Sequence, residues 1–99
     1  MNRSDVIAKL KSAEPIMRAH GVSALYLFGS YARDEAQEDS DIDVFVDKAA
    51  GRPFGFDELM GGYRAVREVF PDAEVNFGTR DGLSKYIRAD VEQQAIRVF

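Results

Sequence analysis

Three short segments of the chain have the spacing of apolar residues that predicts β-strands. Val22–Phe28 is a nearly continuous apolar run, which is typical of a strand buried in a core. In Asp41–Asp47 polar and apolar residues alternate, so we expect a strand with carboxylates on one face and aliphatic side chains on the other. A third strand is expected around Val75.

Three other segments carry apolar residues at helical spacing. We expect Ser4 to cap the first helix and Pro15 to kink or restart it. Asp57 is expected to cap the second, although Gly61-Gly62 weakens it by about 1 kcal/mol for each glycine relative to alanine. The third is expected to begin near Leu83. All three apolar stripes are assigned to the core: Ile7, Leu10, Ala13 and Met17; Leu59, Met60, Tyr63, Val66 and Phe70; Leu83, Ile87, Val91 and Ala95.

Composition predicts a single domain. The chain has 99 residues, of which 45% are hydrophobic and 30% charged, and this suits one compact core over residues 1–99. The mixture of strands and helices predicts an α+β fold in which a small mixed sheet packs against helices. A chain of this length buries only about 60 to 65% of its unfolded surface, so a partner or an oligomer could add stability.

Charge and residue usage exclude several classes of function. Thirteen basic against 17 acidic residues give a net charge of −4, which argues against direct binding of nucleic acid. The chain has no cysteine, and its one histidine, His20, is interpreted as a helix-end residue, so neither indicates a zinc site. No apolar run is long enough to cross a membrane, and residues 1–20 are too charged for a signal peptide, so we expect a cytoplasmic protein.

The most specific feature is a Gly-Ser turn followed by a pair of aspartates. Gly29 lets the chain turn sharply after the first strand, and Ser30 supplies a hydroxyl that can cap a helix or donate to a phosphate. Asp41 and Asp43 lie two residues apart on a predicted strand, so their Cα atoms are about 6 to 7 Å apart and their side chains can converge on one hard cation. Together these residues indicate a metal-dependent nucleotide site.

The segments Gly29-Ser30-Tyr31-Ala32-Arg33 and Ser40-Asp41-Ile42-Asp43 resemble the signature of the polymerase-β-like nucleotidyltransferase superfamily, and of its minimal nucleotidyltransferases in particular. The resemblance implies that Gly29 and Ser30 hold a nucleoside triphosphate, ATP or another, and that Asp41 and Asp43 coordinate Mg²⁺. Arg33 matches the arginine of the motif, where it could neutralise phosphate charge or pair with a carboxylate of the acidic loop. Ser40, grouped with the nucleotide-binding residues, is expected to fix the start of the Asp41 strand.

The chain departs from the family at two positions. Active members use a third carboxylate from a neighbouring strand, and the matching residue here is Asn76, which we keep as the third catalytic position. An amide oxygen can bind Mg²⁺, but it carries no charge and cannot accept a proton as a carboxylate does. Glu74 lies two residues earlier on the same strand face and is the candidate to replace the missing acid. The second departure is Asp34, where the family commonly has glycine.

The resemblance also implies a function. Stand-alone members of the family resemble antitoxins that transfer AMP from ATP to a tyrosine of a partner HEPN-type ribonuclease toxin, which would serve as the acceptor. The alternative is a degenerate member that neutralises its partner by binding only, with Asn76 in place of the third acid. A small-molecule transferase is less favoured, because the chain offers no acceptor-binding region.

Overall fold

The computed structural model describes residues 1–99 and confirms the α+β fold. Five helices and four strands follow one another along the chain, with a short 3-10 turn at Arg80–Gly82. In chain order they are α1 Arg3–Ser12, α2 Glu14–Ala19, β1 Val22–Phe28, α3 Gly29–Ala32, β2 Ile42–Lys48, α4 Phe56–Val69, β3 Val75–Thr79, α5 Arg88–Gln94 and β4 Ile96–Arg97.

The four strands form one mixed sheet in the order β3-β2-β1-β4. Strand β1 is antiparallel to both of its neighbours, whereas β2 and β3 run parallel. The register places Asp43 opposite Phe28 on one side and opposite Asn76 on the other. This pairing places the C-terminal end of β1 beside the N-terminal ends of β2 and β3, at one end of the sheet.

One face of the sheet packs against α1, α2 and α4 and forms the hydrophobic core. The aliphatic residues of β2, Ile42, Val44 and Val46, are at most 1% exposed and belong to this core, as the alternation along the strand predicts. Leu10, Ala13 and Met17 cover them from the helices. The opposite face of β2 carries Asp43, Phe45 and Asp47. Along β2, the aliphatic residues that pack in this core therefore alternate with residues of the opposite face, where the two aspartates lie.

Both predicted helix caps are wrong by about two residues. Asn2 rather than Ser4 caps α1: its side-chain oxygen accepts a hydrogen bond from the Asp5 amide at 2.9 Å, and the Asp5 carboxylate accepts one from the Asn2 amide at 3.2 Å. Gly55 rather than Asp57 precedes α4, because the Glu58 carboxylate accepts a hydrogen bond from the Gly55 amide at 3.0 Å. In both cases an acid three residues into the helix decides where it begins. Pro15 does restart the first helix, near the beginning of α2.

The two adjacent glycines of α4 have a packing role. Gly61 and Gly62 are both buried, and a Cβ atom on Gly61 would overlap the His20 ring. A Cβ on Gly62 would lie 2.8 Å from Cζ of Phe77, which is closer than carbon atoms pack. Glycine destabilises the helix at these two positions, but it allows α4 to pack closely against the end of α2 and against β3. His20 follows α2 directly, as its interpretation as a helix-end residue requires.

The C-terminal region differs most from the prediction. The expected helix from Leu83 to Ala95 is replaced by turns and the short helix α5, which has no buried residue. The predicted stripe is therefore not core, and Ile87 is 49% exposed. After α5 the chain becomes extended and adds β4 to the free edge of β1, where Ile96 pairs with Leu27. None of the helices is long and apolar enough to span a bilayer.

Candidate active site

The turn after β1 is a single helical turn that begins at a residue with a left-handed backbone conformation. Gly29 has φ of +75°, in the left-handed region that favours glycine, and it follows the extended residue Phe28. Ser30 lies inside this turn, so it is not the helix cap that the sequence allowed. Its side chain lines a surface cavity beside the turn, where the hydroxyl can meet a ligand.

Gly29 is also required by its contact with β2. A Cβ atom at residue 29 would overlap Oδ2 of Asp43 and lie 3.0 Å from that residue's Cγ. The bare Cα therefore lets the carboxylate of Asp43 lie directly against the turn. The sequence predicted that Gly29 and Asp43 belong to one site, and this contact brings them together.

Asp41 and Asp43 converge on the same neighbour. Asp41 lies immediately before β2 and Asp43 is its second residue, and both are partly exposed. The side-chain amide of Asn76 donates to Oδ2 of Asp41 at 3.2 Å and to Oδ1 of Asp43 at 2.7 Å. The two carboxylates thus face one side of the sheet, as predicted, and Asn76 bridges them.

Glu74 does not join this pair. No three acidic or histidine side chains of the protein lie close enough together to hold a metal ion. Glu74 is exposed, and its contribution is a backbone carbonyl that accepts a hydrogen bond from the Ile42 amide at 2.8 Å. The proposed replacement of the third acid by Glu74 is therefore wrong in this structure. The donor set is two carboxylates and one amide.

An open cavity of about 510 Å³ contains most of the predicted site. The turn after β1 and the two aspartates form one wall, and α5 with the residue before it forms the other. The lining residues are Phe28, Gly29, Ser30, Arg33, Asp41, Asp43, Ile87, Asp90, Val91 and Gln94. Ile87 and Val91 were missed as site residues because their helical spacing indicated a core stripe, and no sequence motif pointed to Asp90 or Gln94. Asn76 borders an adjoining cavity of about 210 Å³ that shares Phe28 with the first.

Arg33 connects the two walls of the large cavity. Its guanidinium donates to the Glu35 carboxylate and to the side-chain oxygen of Gln94, each at 3.3 Å. Of the two roles left open by the sequence, the pairing with an acidic loop residue is present. Because the side chains of Arg33 and Glu35 are 41% and 65% exposed, this pair is weak and the guanidinium can turn to a phosphate at little cost.

Ser40 and Asp34 shape the acidic loop outside the cavity. The Ser40 hydroxyl accepts a hydrogen bond from the Gln37 amide at 2.8 Å, which closes the turn before Asp41. Ser40 does not line the cavity, so its observed role is to position the strand. Asp34 has φ of +59°, a left-handed conformation that aspartate tolerates and glycine prefers. The glycine that the family resemblance implies at this position would adopt the same conformation without a side-chain penalty.

A polar cluster on the same sheet face holds the C-terminal region in place. Arg80 forms two hydrogen bonds with Asp47, at 2.7 and 3.0 Å, and a third with Glu92 of α5 at 2.8 Å. Its guanidinium also stacks on Tyr26 and Phe45, with Cζ 4.8 and 5.0 Å from the ring centroids. The hydrogen bonds from Arg80 lower the pKa of Asp47 below its ordinary value, and the same contacts raise the pKa of Arg80. The cluster thus fixes α5 beside the site.

Comparison with known proteins shows the family. The model of the family described as "Nucleotidyltransferase domain" matches residues 8–98, nearly the whole chain. This protein belongs to the nucleotidyltransferase domain family. Protein adenylyltransferase MntA of Thermococcus cleftensis is 32% identical over 91 positions, covering 83% of this chain and 92% of that protein. MJ0435 of Methanocaldococcus jannaschii, assigned as a protein adenylyltransferase, is 50% identical over 38 residues, which span 38% of this chain and only 41% of that protein.

Solved structures show the same fold. A structure assigned as a minimal nucleotidyltransferase has a TM-score of 0.73 and 28% identity, covering 97% of this chain and 95% of that one. A complex of a tri-AMPylated HEPN toxin of Shewanella oneidensis with an MNT antitoxin has a TM-score of 0.63, with 93% of this chain and 70% of that chain covered. At 17% identity, the second likeness shows the fold alone.

Proposed function

We propose that this nucleotidyltransferase transfers AMP from ATP to a tyrosine of a HEPN-type toxin and acts as its antitoxin. The observation that carries the proposal is the convergence of Gly29, Ser30, Asp41 and Asp43 on one open cavity. A relative that covers most of the chain bears the name protein adenylyltransferase. A more distant relative of the same fold is an antitoxin bound to an AMPylated toxin.

The side chains at the cavity and beside it suit a hard divalent cation. Asp41 and Asp43 offer carboxylate oxygens, and Asn76 has an amide oxygen, which are the donors that Mg²⁺ prefers. Asp41 and Asp43 would hold Mg²⁺, with Asn76 as the third ligand. When bound, the cation would neutralise phosphate charge and favour loss of pyrophosphate.

The transfer would form one bond and break one. The tyrosine oxygen bonds to the α-phosphorus of ATP, the bond from that phosphorus to the α,β-bridging oxygen breaks, and pyrophosphate leaves with the electron pair. Arg33 and the Ser30 hydroxyl would bind the triphosphate oxygens, since both side chains line the cavity. The phenolic proton cannot pass to Asn76, because an amide is no base, so it would pass to solvent or to an aspartate.

One observation favours the binding-only alternative. Asn76 stands where the family resemblance implies an acid, and its amide group donates to both aspartates instead of adding a third negative charge. Losing a carboxylate base or ligand lowers a rate by about two to four orders of magnitude. A slow transferase could still modify a partner present in equal amount, whereas an inactive one would neutralise it by contact alone.

Intact-mass spectrometry separates these functions. A candidate HEPN-type partner from the same organism would be incubated with the wild-type chain, ATP and Mg²⁺, in parallel with Asn76→Asp and Asp41→Asn variants. We expect the wild type to add the mass of AMP slowly, Asn76→Asp to add it faster and Asp41→Asn not to add it. Addition by Asn76→Asp alone would favour the binding-only function, and no addition by any variant would contradict AMP transfer to this partner.

A further inference from the structure

We propose that the side-chain amide of Asn76 competes with a divalent cation for Asp41 and Asp43. Cation binding then requires this amide group to rotate by about half a turn, so that its oxygen replaces its nitrogen beside the aspartates. The inference rests on the proposed magnesium chemistry and adds a control step to the same site. It is carried by two hydrogen bonds, in which Nδ2 of Asn76 donates to Asp41 at 3.2 Å and to Asp43 at 2.7 Å.

The orientation of the amide follows from its surroundings. Two carboxylates are acceptors only, so the amide nitrogen, with two N–H groups, is the end that can satisfy both. Turning the oxygen toward them would place three acceptors together with no proton between them. The nitrogen-inward orientation therefore reduces the repulsion between Asp41 and Asp43, which is the task that a cation would otherwise perform.

The oxygen atoms of Asp43 leave little room for a cation beside this amide. Oδ1 accepts the Asn76 hydrogen bond at 2.7 Å, and Oδ2 lies against the Cα of Gly29. A cation that binds Oδ1 meets the partial positive charge of the Asn76 N–H group. It gains Asn76 as a ligand only if the amide rotates by about half a turn, so that its oxygen points inward.

This competition distinguishes Asn76 from an aspartate at the same position. A carboxylate presents an oxygen in either orientation and has no N–H group to displace. Replacing Asn76 by Asp should therefore raise the affinity for Mg²⁺ about tenfold or more. The same replacement gathers three carboxylates, so in buffer with chelator it should lower the melting temperature, and Mg²⁺ should restore it.

The side-chain amide signals of Asn76 test the proposal directly by NMR. The chain has five side-chain amides, those of Asn2, Gln37, Asn76, Gln93 and Gln94, so Asn76→Asp identifies the relevant pair by its disappearance. Without Mg²⁺ we expect these two protons to exchange slowly with water. Mg²⁺ should shift them toward the position of a free amide, with the same midpoint as the backbone signals of Asp41 and Asp43.

A charge-matched control separates local chemistry from net charge. Gln37→Glu adds one negative charge in the neighbouring loop, outside the cavity, and should change Mg²⁺ affinity by less than about twofold. If Asn76→Asp binds Mg²⁺ no more tightly than Gln37→Glu, the proposal is wrong. It is also wrong if the backbone signals of Asp41 and Asp43 shift while the Asn76 amide protons stay unchanged.

Failure of the underlying function has a different signature. If Mg²⁺ moves the signals of Asp41 and Asp43 in neither the wild type nor Asn76→Asp, the magnesium site itself is absent, and both proposals fall. If they move only in Asn76→Asp, the competition is complete in the natural protein. That result supports this inference and at the same time favours the binding-only function.

Discussion

Gly29 lies so close to Asp43 that a methyl group on its Cα would overlap the carboxylate. Gly29→Ala therefore faces two penalties, a left-handed backbone at φ +75° and displacement of Asp43. Gly51 has a similar φ of +79° but open space around its Cα, so Gly51→Ala faces the backbone penalty alone. We expect Gly51→Ala to cost about 1 to 2 kcal/mol in urea unfolding and Gly29→Ala at least about 1 kcal/mol more.

The same pair predicts a functional difference. Gly29→Ala should also abolish Mg²⁺-dependent nucleotide binding in calorimetry, because Asp43 can no longer lie against the turn, whereas Gly51→Ala should bind as the wild type does. Equal unfolding free energies for the two variants would show that Asp43 moves aside freely.

Asp41→Asn tests the assigned cation site. Removing this negative charge should lower Mg²⁺-dependent affinity for ATP by about tenfold or more in titration calorimetry. Asp39→Asn is the matched control, since Asp39 lies two residues earlier in the same loop and does not line the cavity. If the ATP affinity of Asp41→Asn is unchanged, Asp41 is not a ligand of the cation and the proposed site is wrong.

Asp47 should make the folded protein sensitive to acid. Its pKa is lowered in the folded state by hydrogen bonds from Arg80, so the carboxylate contributes stability above its ordinary pKa of 3.8 and loses it as the pH falls through the lower folded value. Asp47→Asn should cost about 1 to 2 kcal/mol at pH 7, and the difference from wild type should shrink below about pH 4.

An exposed ion pair provides the control for this measurement. Asp81 pairs with Lys48 at 3.2 Å, but its side chain is 70% exposed, so Asp81→Asn should change stability by less than about 0.5 kcal/mol at pH 7. A difference for Asp47→Asn that stays constant from pH 7 to pH 3 would mean that its charge does not contribute.

Asp90 lines the cavity, and its negative charge should weaken the binding of a triphosphate there. Asp90→Asn removes a negative charge from the wall formed by α5, and we expect ATP affinity to rise about two- to fivefold at low salt, with the gain shrinking at high salt. Asp72→Asn removes the same charge outside this cavity and should leave affinity unchanged. Weaker ATP binding by Asp90→Asn would instead identify Asp90 as a ligand-holding residue.

The parts of the structure that depend on residues close together in the sequence could be predicted. Alternation identified the buried residues of β2, and the motif from Gly29 to Asp43 named residues that the structure brings together at one cavity. Phe45 and Arg80 were not predictable as a cluster, because their contact depends on which face of the sheet the C-terminal region covers. The two-residue strand β4 was also missed, since its extended form depends on the free edge of β1 rather than on its own sequence.

The C-terminal stripe shows where periodicity misleads. Ile87 and Val91 have helical spacing, but they line the cavity and are not part of the hydrophobic core. Likewise, capping by Asn2 and Gly55 depended on the acids three residues later, a signal present in the sequence but outweighed by the nearby Ser4 and Asp57.

The alternation along β2 separates folding from chemistry. Ile42 and Val44 belong to the hydrophobic core, whereas Asp41, Asp43 and the neighbouring Asn76 do not. An exchange between acid and amide at residue 76 therefore leaves the packing of the core unchanged and acts through the charge of the site. Under the proposed function, a single codon change at residue 76 would move the protein between enzyme and binding protein while its fold stays the same.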